Sequence, residues 1–117
     1  MGKLTTHVLD TAHGCPAAGM KVTLLRVDEL HTESVSQLLL NHDGRADGPL
    51  LEGVTLKRGR YRLVFSVAAY FRVRGTDLPD VPFLDEVPLD FGIDDTSLHY
   101  HVPLLVSPWS YSTYRGS

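Results

Sequence analysis

The feature that most constrains the fold is a regular alternation of apolar and polar residues late in the sequence. From Leu98 to Val106 every second residue is apolar, and His99 and His101 occupy two of the intervening positions. Successive side chains of a β-strand point to opposite faces. The pattern therefore predicts a strand that turns one face to a core and presents both histidines on the other face.

Comparable alternation recurs along the chain and predicts an all-β protein. The predicted strands span residues 4–10, 21–27, 35–41, 61–67, 87–93, 98–106 and 110–115, with a further short strand after Asp47. Turns rich in glycine, proline and aspartate separate them, which is typical of a β-sandwich or barrel. Pro88 has no backbone N–H, so its strand is expected to lie at a sheet edge or to turn the proline to an unpaired side.

One segment departs from this alternation. Residues 68–74, with the sequence AAYFRVR, are followed by Gly75. This combination predicts two turns of helix ended by a glycine. Because so short a helix is marginally stable alone, we expect Tyr70 or Phe71 to dock it onto a sheet.

The composition favours one globular domain over residues 1–117. Of these residues 43% are hydrophobic, which suits a single core, and the net charge of −3 provides no basic surplus for nucleic acid. No apolar run approaches the roughly 20 residues of a membrane-spanning helix, and the N-terminal residues lack the apolar stretch of a signal peptide. We therefore expect a cytoplasmic protein without nucleic-acid or membrane partners.

The single cysteine, Cys15, agrees with a reducing compartment, because one thiol cannot form an internal disulfide. Cys15 lies in a predicted turn, and a catalytic role is disfavoured because only His13 is adjacent in sequence to activate it. The sequence has no glycine-rich phosphate loop, no CxxC pair and no Gly-x-Ser-x-Gly elbow. Nucleotide binding and serine hydrolysis therefore have no support.

Among the six histidines, the pair His99 and His101 is the most informative. The two residues lie on one face of a strand, with Cα atoms about 7 Å apart. Three interpretations remain open: solvated side chains, ligands of a metal ion that needs further ligands, or metal-free catalysts. His7 lies in the middle of the first predicted strand and could join the pair if the first and penultimate strands are neighbours.

Two further features bear on a site. Arg45 follows an Asp-Gly turn, and its guanidinium could bind a planar, carbonyl-rich substrate through paired N–H donors, although a solvated loop arginine is the simpler interpretation. Residues 111–117 have the sequence YSTYRGS. A segment with two tyrosines and an arginine is expected to be docked rather than frayed, with the Ser117 hydroxyl and carboxylate available as polar groups.

Three segments resemble signatures of the transthyretin-related 5-hydroxyisourate hydrolases. They are residues 4–10 with 14–17 (LTTHVLD and GCPA), 41–45 with 49–51 (NHDGR and PLL), and 99–108 with 111–117 (HYHVPLLVSP and YSTYRGS). The segments occur in order over the whole chain. The terminal YRGS distinguishes these hydrolases from transthyretins, which are hormone carriers of the same fold. The combination is specific, although no segment is specific alone.

The resemblance implies a fold and an assembly. The family fold is a transthyretin-like sandwich of two four-stranded antiparallel sheets with one short helix, which here would lie near residues 69–74. Family members form homotetramers, as dimers of dimers, and the resemblance implies active sites in the channel between the dimers. A strand face that carries His99 and His101 would then line this channel.

The resemblance also implies a reaction. Water attacks a ring carbonyl of 5-hydroxyisourate, and the ring opens to 2-oxo-4-hydroxy-4-carboxy-5-ureidoimidazoline in urate degradation. The residues carried over as catalytic are His7, Arg45, His101 and Ser117. His99, Tyr114 and Arg115 are expected to contact substrate, together with His7, Arg45 and Ser117. The resemblance implies no cofactor and no metal ion, and it leaves open whether His7 or His101 is the general base.

Two alternatives to this hydrolase remain. A transthyretin-like carrier of thyroid hormone or another aromatic ligand would have the same fold but a more apolar channel without paired histidines and an arginine. A metal-dependent hydrolase would use His7, His99 and His101 as ligands.

Overall fold

The structure is a computed structural model that describes residues 1–116, and it consists mainly of β-strands. In chain order the strands are β1 (Lys3–Asp10), β2 (Cys15–Pro16), β3 (Lys21–Val27), β4 (Thr32–Leu39), β5 (Leu51–Glu52), β6 (Gly59–Ser66), β7 (Glu86–Ile93), β8 (His99–Val106) and β9 (Tyr111–Thr113). One α-helix, α1 (Val67–Val73), and one 3-10 turn, Gly53–Thr55, complete the regular structure of the described residues.

The strands form two sheets. Sheet 1 has the order β2-β1-β8-β9, with β5 also paired to β1, and sheet 2 has the order β4-β3-β6-β7. Sheet 2 is antiparallel throughout. In sheet 1 the central pair, β1 and β8, is parallel, whereas the other pairs are antiparallel.

The predicted all-β sandwich with one short helix is confirmed. Two details differ from two four-stranded antiparallel sheets: sheet 1 gains the short β5, and its β1–β8 pair is parallel. Parallel neighbours need a long connection, and here most of the chain, including all of sheet 2, connects β1 to β8. Alternation in the sequence identifies the faces of a strand but carries no information about its direction.

The core lies between the two sheets, on the faces that the alternation assigned to it. Side chains without exposed surface come from both sheets: Leu4, Val8, Val22, Leu24, Leu63, Phe65, Leu104 and Val106. Burying each of the larger side chains contributes about 1.5–3 kcal/mol. The opposite face of β1 and β8 does not pack against the core and can therefore carry functional side chains.

Helix α1 is docked as expected. Tyr70 and Phe71 are both buried, and the Tyr70 hydroxyl donates to a carboxylate oxygen of Asp10 at 2.9 Å. Gly75 ends the helix with a positive φ of 89°, a conformation that glycine adopts without strain. With seven residues α1 is far too short to cross a bilayer, and residues 1–116 contain no longer apolar helix that would do so.

Several predicted boundaries shift. The strand predicted to end at residue 67 ends at Ser66, because Val67 begins α1. β4 begins at Thr32, three residues before its predicted start, since it is an edge strand that is mostly exposed and shows little alternation. The turn predicted around Cys15 contains the two-residue strand β2. β7, which carries Pro88, lies at an edge of sheet 2, which was one of the two positions expected for it.

Candidate active site

The parallel pairing of β1 and β8 brings the predicted histidines together. In this register Lys3 lies opposite His99, Thr5 opposite His101, and His7 opposite Pro103. Alternate residues of each strand point away from the core, so His7, His99 and His101 occupy one outer face of sheet 1. The first and penultimate strands are neighbours, which is the condition under which His7 could join the pair.

Thr5 connects the two histidines of β8. Its hydroxyl oxygen lies 3.0 Å from Nε2 of His99 and 2.8 Å from Nδ1 of His101. The two imidazole rings, whose centroids are 6.5 Å apart, are inclined by 61° and therefore do not stack. His101 is half-buried and His99 is exposed. One hydroxyl thus lies within hydrogen-bonding distance of both imidazoles.

A third imidazole, that of His7, is held by the neighbouring loop. Nε2 of His7 lies 2.9 Å from the backbone oxygen of Asp43. A carbonyl oxygen only accepts hydrogen bonds, so neutral His7 carries its proton on Nε2 and has a lone pair on Nδ1. The bond therefore selects the tautomer of His7 as well as its orientation.

The loop that supplies this carbonyl also positions Arg45. The side-chain oxygen of Asn41 accepts from the backbone N–H groups of Asp43 and Arg45, at 2.9 and 3.1 Å, which closes a tight turn. Gly44 has a φ of 74°, and an added Cβ would lie 2.5 Å from the backbone oxygen of Val8. Only glycine fits this close approach to β1.

Arg45 ends the turn opposite His7, with which it forms an isolated antiparallel β-bridge. Directly opposed residues of such a pair lie on the same face. The exposed Arg45 side chain therefore shares the outer face with His7 and His101. The structure thus assembles three of the four residues that were expected to be catalytic.

The electrostatics of this face favour neutral imidazoles. Partial burial, followed by the positive charge of Arg45, lowers the pKa of His7, although the hydrogen bond to the Asp43 carbonyl and the Asp43 charge oppose this effect. Burial also lowers the pKa of His101, and the charges of Arg45, His7 and His99 lower it further. Both rings are therefore unprotonated near neutral pH and are able to accept a proton.

The C-terminal segment closes on the same strand. The backbone N–H of Gly116 donates to the His101 carbonyl at 2.7 Å, and the His101 N–H donates to the Gly116 carbonyl at 3.4 Å. A Cβ at position 116 would lie 2.9 Å from Cδ2 of His101, so glycine lets the backbone pass close to the ring. Ser117 lies outside the described residues, and its role stays a prediction.

Tyr114 and Arg115 border a groove between β7 and β8 in the single chain. The Arg115 guanidinium lies 4.5 Å above the ring of Tyr100, which points from β8 toward the core, away from His101. Both residues line a groove of about 340 Å³ whose other wall is residues 88–92 of β7. Arg115 also donates from Nη2 to the backbone carbonyl of His99 at 3.4 Å, so it contacts β8 next to the cluster. The predicted contacts of Tyr114 and Arg115 with substrate stay predictions.

No preformed metal site appears among the described residues. Residues 1–116 contain no group of three His, Cys, Asp or Glu side chains placed to hold one ion. His99 and His101 both face the Thr5 hydroxyl, and Nε2 of His7 faces a carbonyl oxygen. The ligand set of the metal-dependent alternative is therefore not assembled, and metal independence stays a prediction.

Sequence reasoning missed two contributors to this geometry. Thr5 and Asn41 lie within the signatures, but neither was assigned a role. In the sequence Thr5 has the pattern of an ordinary strand residue, and only the parallel register places it beside His101. Asn41, two residues before Asp43 and three before Gly44, carries a recognisable signal for a side-chain-capped turn.

Sequence comparisons agree with this geometry over the whole chain. The profile of the HIUase/Transthyretin family matches residues 4–116. The 5-hydroxyisourate hydrolase of Pseudomonas aeruginosa is 56% identical over 117 residues, which is 100% of this chain and 93% of that protein.

Solved structures point in the same direction. The chain is similar to (S)-allantoin synthase, with 50% identity and a TM-score of 0.94 over 99% of this chain, although it spans only 44% of that longer protein. Sea bream transthyretin in complex with thyroxine superposes with a TM-score of 0.86 over 97% of this chain and 94% of that protein. Its identity is only 23%, so this likeness concerns the fold alone. On the family profile and the full-length relative, this chain belongs to the HIUase/Transthyretin family.

Proposed function

We propose that this protein hydrolyses 5-hydroxyisourate to 2-oxo-4-hydroxy-4-carboxy-5-ureidoimidazoline. The observation that carries the proposal is the convergence of two neutral imidazoles and a guanidinium, those of His7, His101 and Arg45, on one outer face of sheet 1. The full-length likeness to the hydrolase of Pseudomonas aeruginosa supports the choice of substrate.

The reaction begins with proton transfer from water. A neutral imidazole takes the proton while the water oxygen attacks a ring carbonyl carbon. Base assistance of this kind accelerates a reaction by about 10²–10⁴-fold. His7 has its lone pair on Nδ1, and His101 is hydrogen-bonded at Nδ1, which leaves its Nε2 for the reaction. One ring acts as the base, and the other orients the water or the substrate.

Arg45 stabilises the charge that develops. Attack on the carbonyl produces an oxyanion, and a guanidinium presents paired N–H donors to such oxygens. The tetrahedral intermediate then collapses, the carbon–nitrogen bond of the ring breaks, and the leaving nitrogen takes the proton from the imidazolium. The attacked carbonyl becomes the carboxyl group of the product. In this scheme the Ser117 hydroxyl hydrogen-bonds to the substrate.

The proposal includes assembly into a homotetramer, a dimer of dimers with the sites in the channel between dimers. In one chain the outer face of sheet 1 is open, since Arg45 and His99 are exposed and His7 and His101 are half-buried. A second copy that covers this face would exclude water and strengthen the action of Arg45. Light scattering during gel filtration is expected to give four times the chain mass of 13.0 kDa, and a stable monomer would contradict the assembly.

The cytoplasmic location and the absence of a cofactor stay predictions within this proposal. Full activity after treatment with a chelator, with no stoichiometric metal by elemental analysis, is the expected result for a metal-independent hydrolase. Loss of activity on chelation, with recovery on adding zinc, would instead favour the metal-dependent alternative.

The experiment that tests the function is a coupled ultraviolet assay. Urate oxidase generates 5-hydroxyisourate in the cuvette, and its disappearance is followed with and without this protein. We expect fast decay that depends on this protein. Decay at the spontaneous rate in the presence of folded protein would contradict the proposal, and calorimetric titration with thyroxine would then test the carrier alternative.

A further inference from the structure

Thr5 and Thr6 are adjacent threonines with opposite tasks. The Thr6 side chain points to the core, where its hydroxyl donates to the Val102 carbonyl at 2.7 Å. The Thr5 hydroxyl points to the outer face and lies within hydrogen-bonding distance of His99 and His101. Only Thr6 therefore has the common structural task of satisfying a buried backbone group, and Thr5 has only imidazole partners among the described residues.

The bonding rules of a hydroxyl limit what Thr5 can do. A threonine hydroxyl has one proton to donate and lone pairs that accept. If its proton points to His99, then Nδ1 of His101 must carry a proton and donate to the Thr5 oxygen. If its proton points to His101, the assignments at both rings reverse. The Thr5 rotor therefore links the tautomer of His101 to that of His99.

Only one of these two patterns suits a base at His101. When Nδ1 of His101 donates to Thr5, its Nε2 has a free lone pair, and no partner of Nε2 lies among residues 1–116. After Nε2 takes a proton from water, Nδ1 still donates and no hydrogen bond has to reverse. In the opposite pattern Nε2 already carries the proton, and His101 cannot act as a base there.

We propose that Thr5 is a positioning residue for the hydrolysis: its hydroxyl accepts from Nδ1–H of His101 and donates to Nε2 of His99, which leaves Nε2 of His101 to take the proton from water. His99 is then an acceptor that holds the Thr5 proton. This inference rests on the proposed function and extends it, since it assigns the general base to His101 and a role to both Thr5 and His99.

Position 5 offers a matched pair of variants. Thr5→Val keeps the shape and strand preference of threonine but removes the hydroxyl, whereas Thr5→Ser keeps the hydroxyl. Thr23→Val is the control, because Thr23 is equally half-buried in a strand but lies in sheet 2, where its hydroxyl accepts from Gln37 at 3.3 Å.

The decisive readout is the nitrogen chemical shifts of the His101 ring in ¹⁵N-labelled protein above about pH 8, where the imidazoles are neutral. The resonances are assigned by their disappearance in His101→Asn. In the unaltered protein we expect a protonated Nδ1 and an unprotonated Nε2. In Thr5→Val we expect a shift toward the Nε2–H tautomer, which a free imidazole prefers, with reversal in Thr5→Ser and no change in Thr23→Val.

Turnover should follow the tautomer. In Thr5→Val we expect kcat to fall at least about tenfold, by less than the roughly 10²–10⁴-fold that loss of the whole base causes, with KM little changed. An Nε2–H tautomer in the unaltered protein, or an unchanged tautomer in Thr5→Val, would overturn the proposal. The nitrogen spectra need no substrate, so they test the tautomer assignment even if the protein proves inactive. Inactivity would contradict the proposed function alone.

Discussion

Two histidine sites on sheet 1 differ in the groups that hold the imidazole. At the end of β1, His13 donates from Nδ1 to the Asp10 carboxylate at 2.7 Å, and the Asp10 side chain has no exposed surface. On the outer face, His7 and His101 are held by a carbonyl and a hydroxyl, and Arg45 adds a positive charge nearby. The first site pairs histidine with a negative charge, whereas in the second His7 and His101 are hydrogen-bonded to uncharged groups and lie near a positive charge.

The difference shows how the surroundings of a histidine decide whether it stabilises the fold or takes part in proton transfer. Burial acts to raise the pKa of Asp10, but hydrogen bonds from the His13 backbone, the His13 ring and Tyr70 outweigh it, so the pKa lies below its ordinary value. That cluster fastens α1 to sheet 1. At the outer face the pKa of His7 and of His101 is lowered, which keeps a lone pair available for proton transfer.

The largest expected effect separates the two sites by activity. Replacing His7 or His101 by Asn should lower kcat/KM by about 10²–10⁴-fold with little loss of stability, because neither residue belongs to the core. The coupled ultraviolet assay and thermal melting measure the two quantities. His31→Asn, at an exposed histidine outside the site, is the matched control and should behave like the unaltered protein. Near-normal turnover in His101→Asn would place the base elsewhere.

A smaller effect concerns the charge of Arg45. Arg45→Gln should lower kcat by about 10²–10³-fold, as loss of an oxyanion donor does. It should also raise the pKa of both His7 and His101, because the Arg45 charge lowers each of them. Titration by NMR measures the second effect without substrate. Arg45→Lys retains the charge, so its histidines should titrate as in the unaltered protein. Unchanged titration in Arg45→Gln would show that the charge does not reach the rings.

The buried cluster should respond in stability instead. Asp10→Asn should lower the free energy of unfolding by about 1–3 kcal/mol, because the buried Tyr70 hydroxyl and the partly buried His13 ring lose a charged acceptor. Denaturant titration measures this change. Turnover per folded molecule should be retained, and a large loss of kcat in a fully folded Asp10→Asn would contradict the division between the sites.

The same cluster predicts a pH window. The pKa of Asp10 is lower in the folded chain than its ordinary value of 3.8, so its stabilisation is complete above that value and is lost as the pH falls through the folded pKa. The stability difference between the unaltered protein and Asp10→Asn should therefore shrink only at acid pH, below about 4. A difference that already shrinks near neutral pH would contradict the assignment of this stabilisation to Asp10.

The smallest effect is expected at His13 itself. Its ring is one-third exposed, so His13→Asn should cost only about 0.5–1.5 kcal/mol of stability, the usual contribution of one hydrogen bond. Activity should not change. If the two sites differ as described, His13→Asn lowers the melting temperature but not turnover, whereas His101→Asn lowers turnover but not the melting temperature.

The faces of the strands could be predicted from the sequence, but their neighbours could not. The alternation around His99 and His101 correctly separated the outer face from the core, since side-chain period depends only on local geometry. The parallel pairing of β1 with β8 depends on contacts between residues far apart in sequence. That pairing decides that Thr5 lies beside His101, so the hydrogen bonds of the site required the structure.

The family signatures identified His7, Arg45 and His101 before any geometry was known. They did not identify the Asp10–His13–Tyr70 cluster, because Tyr70 lies on α1, 60 residues from Asp10 in sequence. Nor did they indicate that Arg115 contacts Tyr100 on the core-facing side of β8. Pattern and resemblance therefore specified residue types and faces, whereas partners across the fold came only from the packed structure.

The pH dependence of kcat/KM, measured between about pH 5 and pH 8, tests most directly the claim that neutral imidazoles perform the chemistry. This ratio reports the groups of the free enzyme. Because the pKa values of His7 and His101 lie below the ordinary 6.5, activity should persist at that pH and fall only on its acid side. A rate that rises as the pH falls through this range, or one that does not change, would contradict the account.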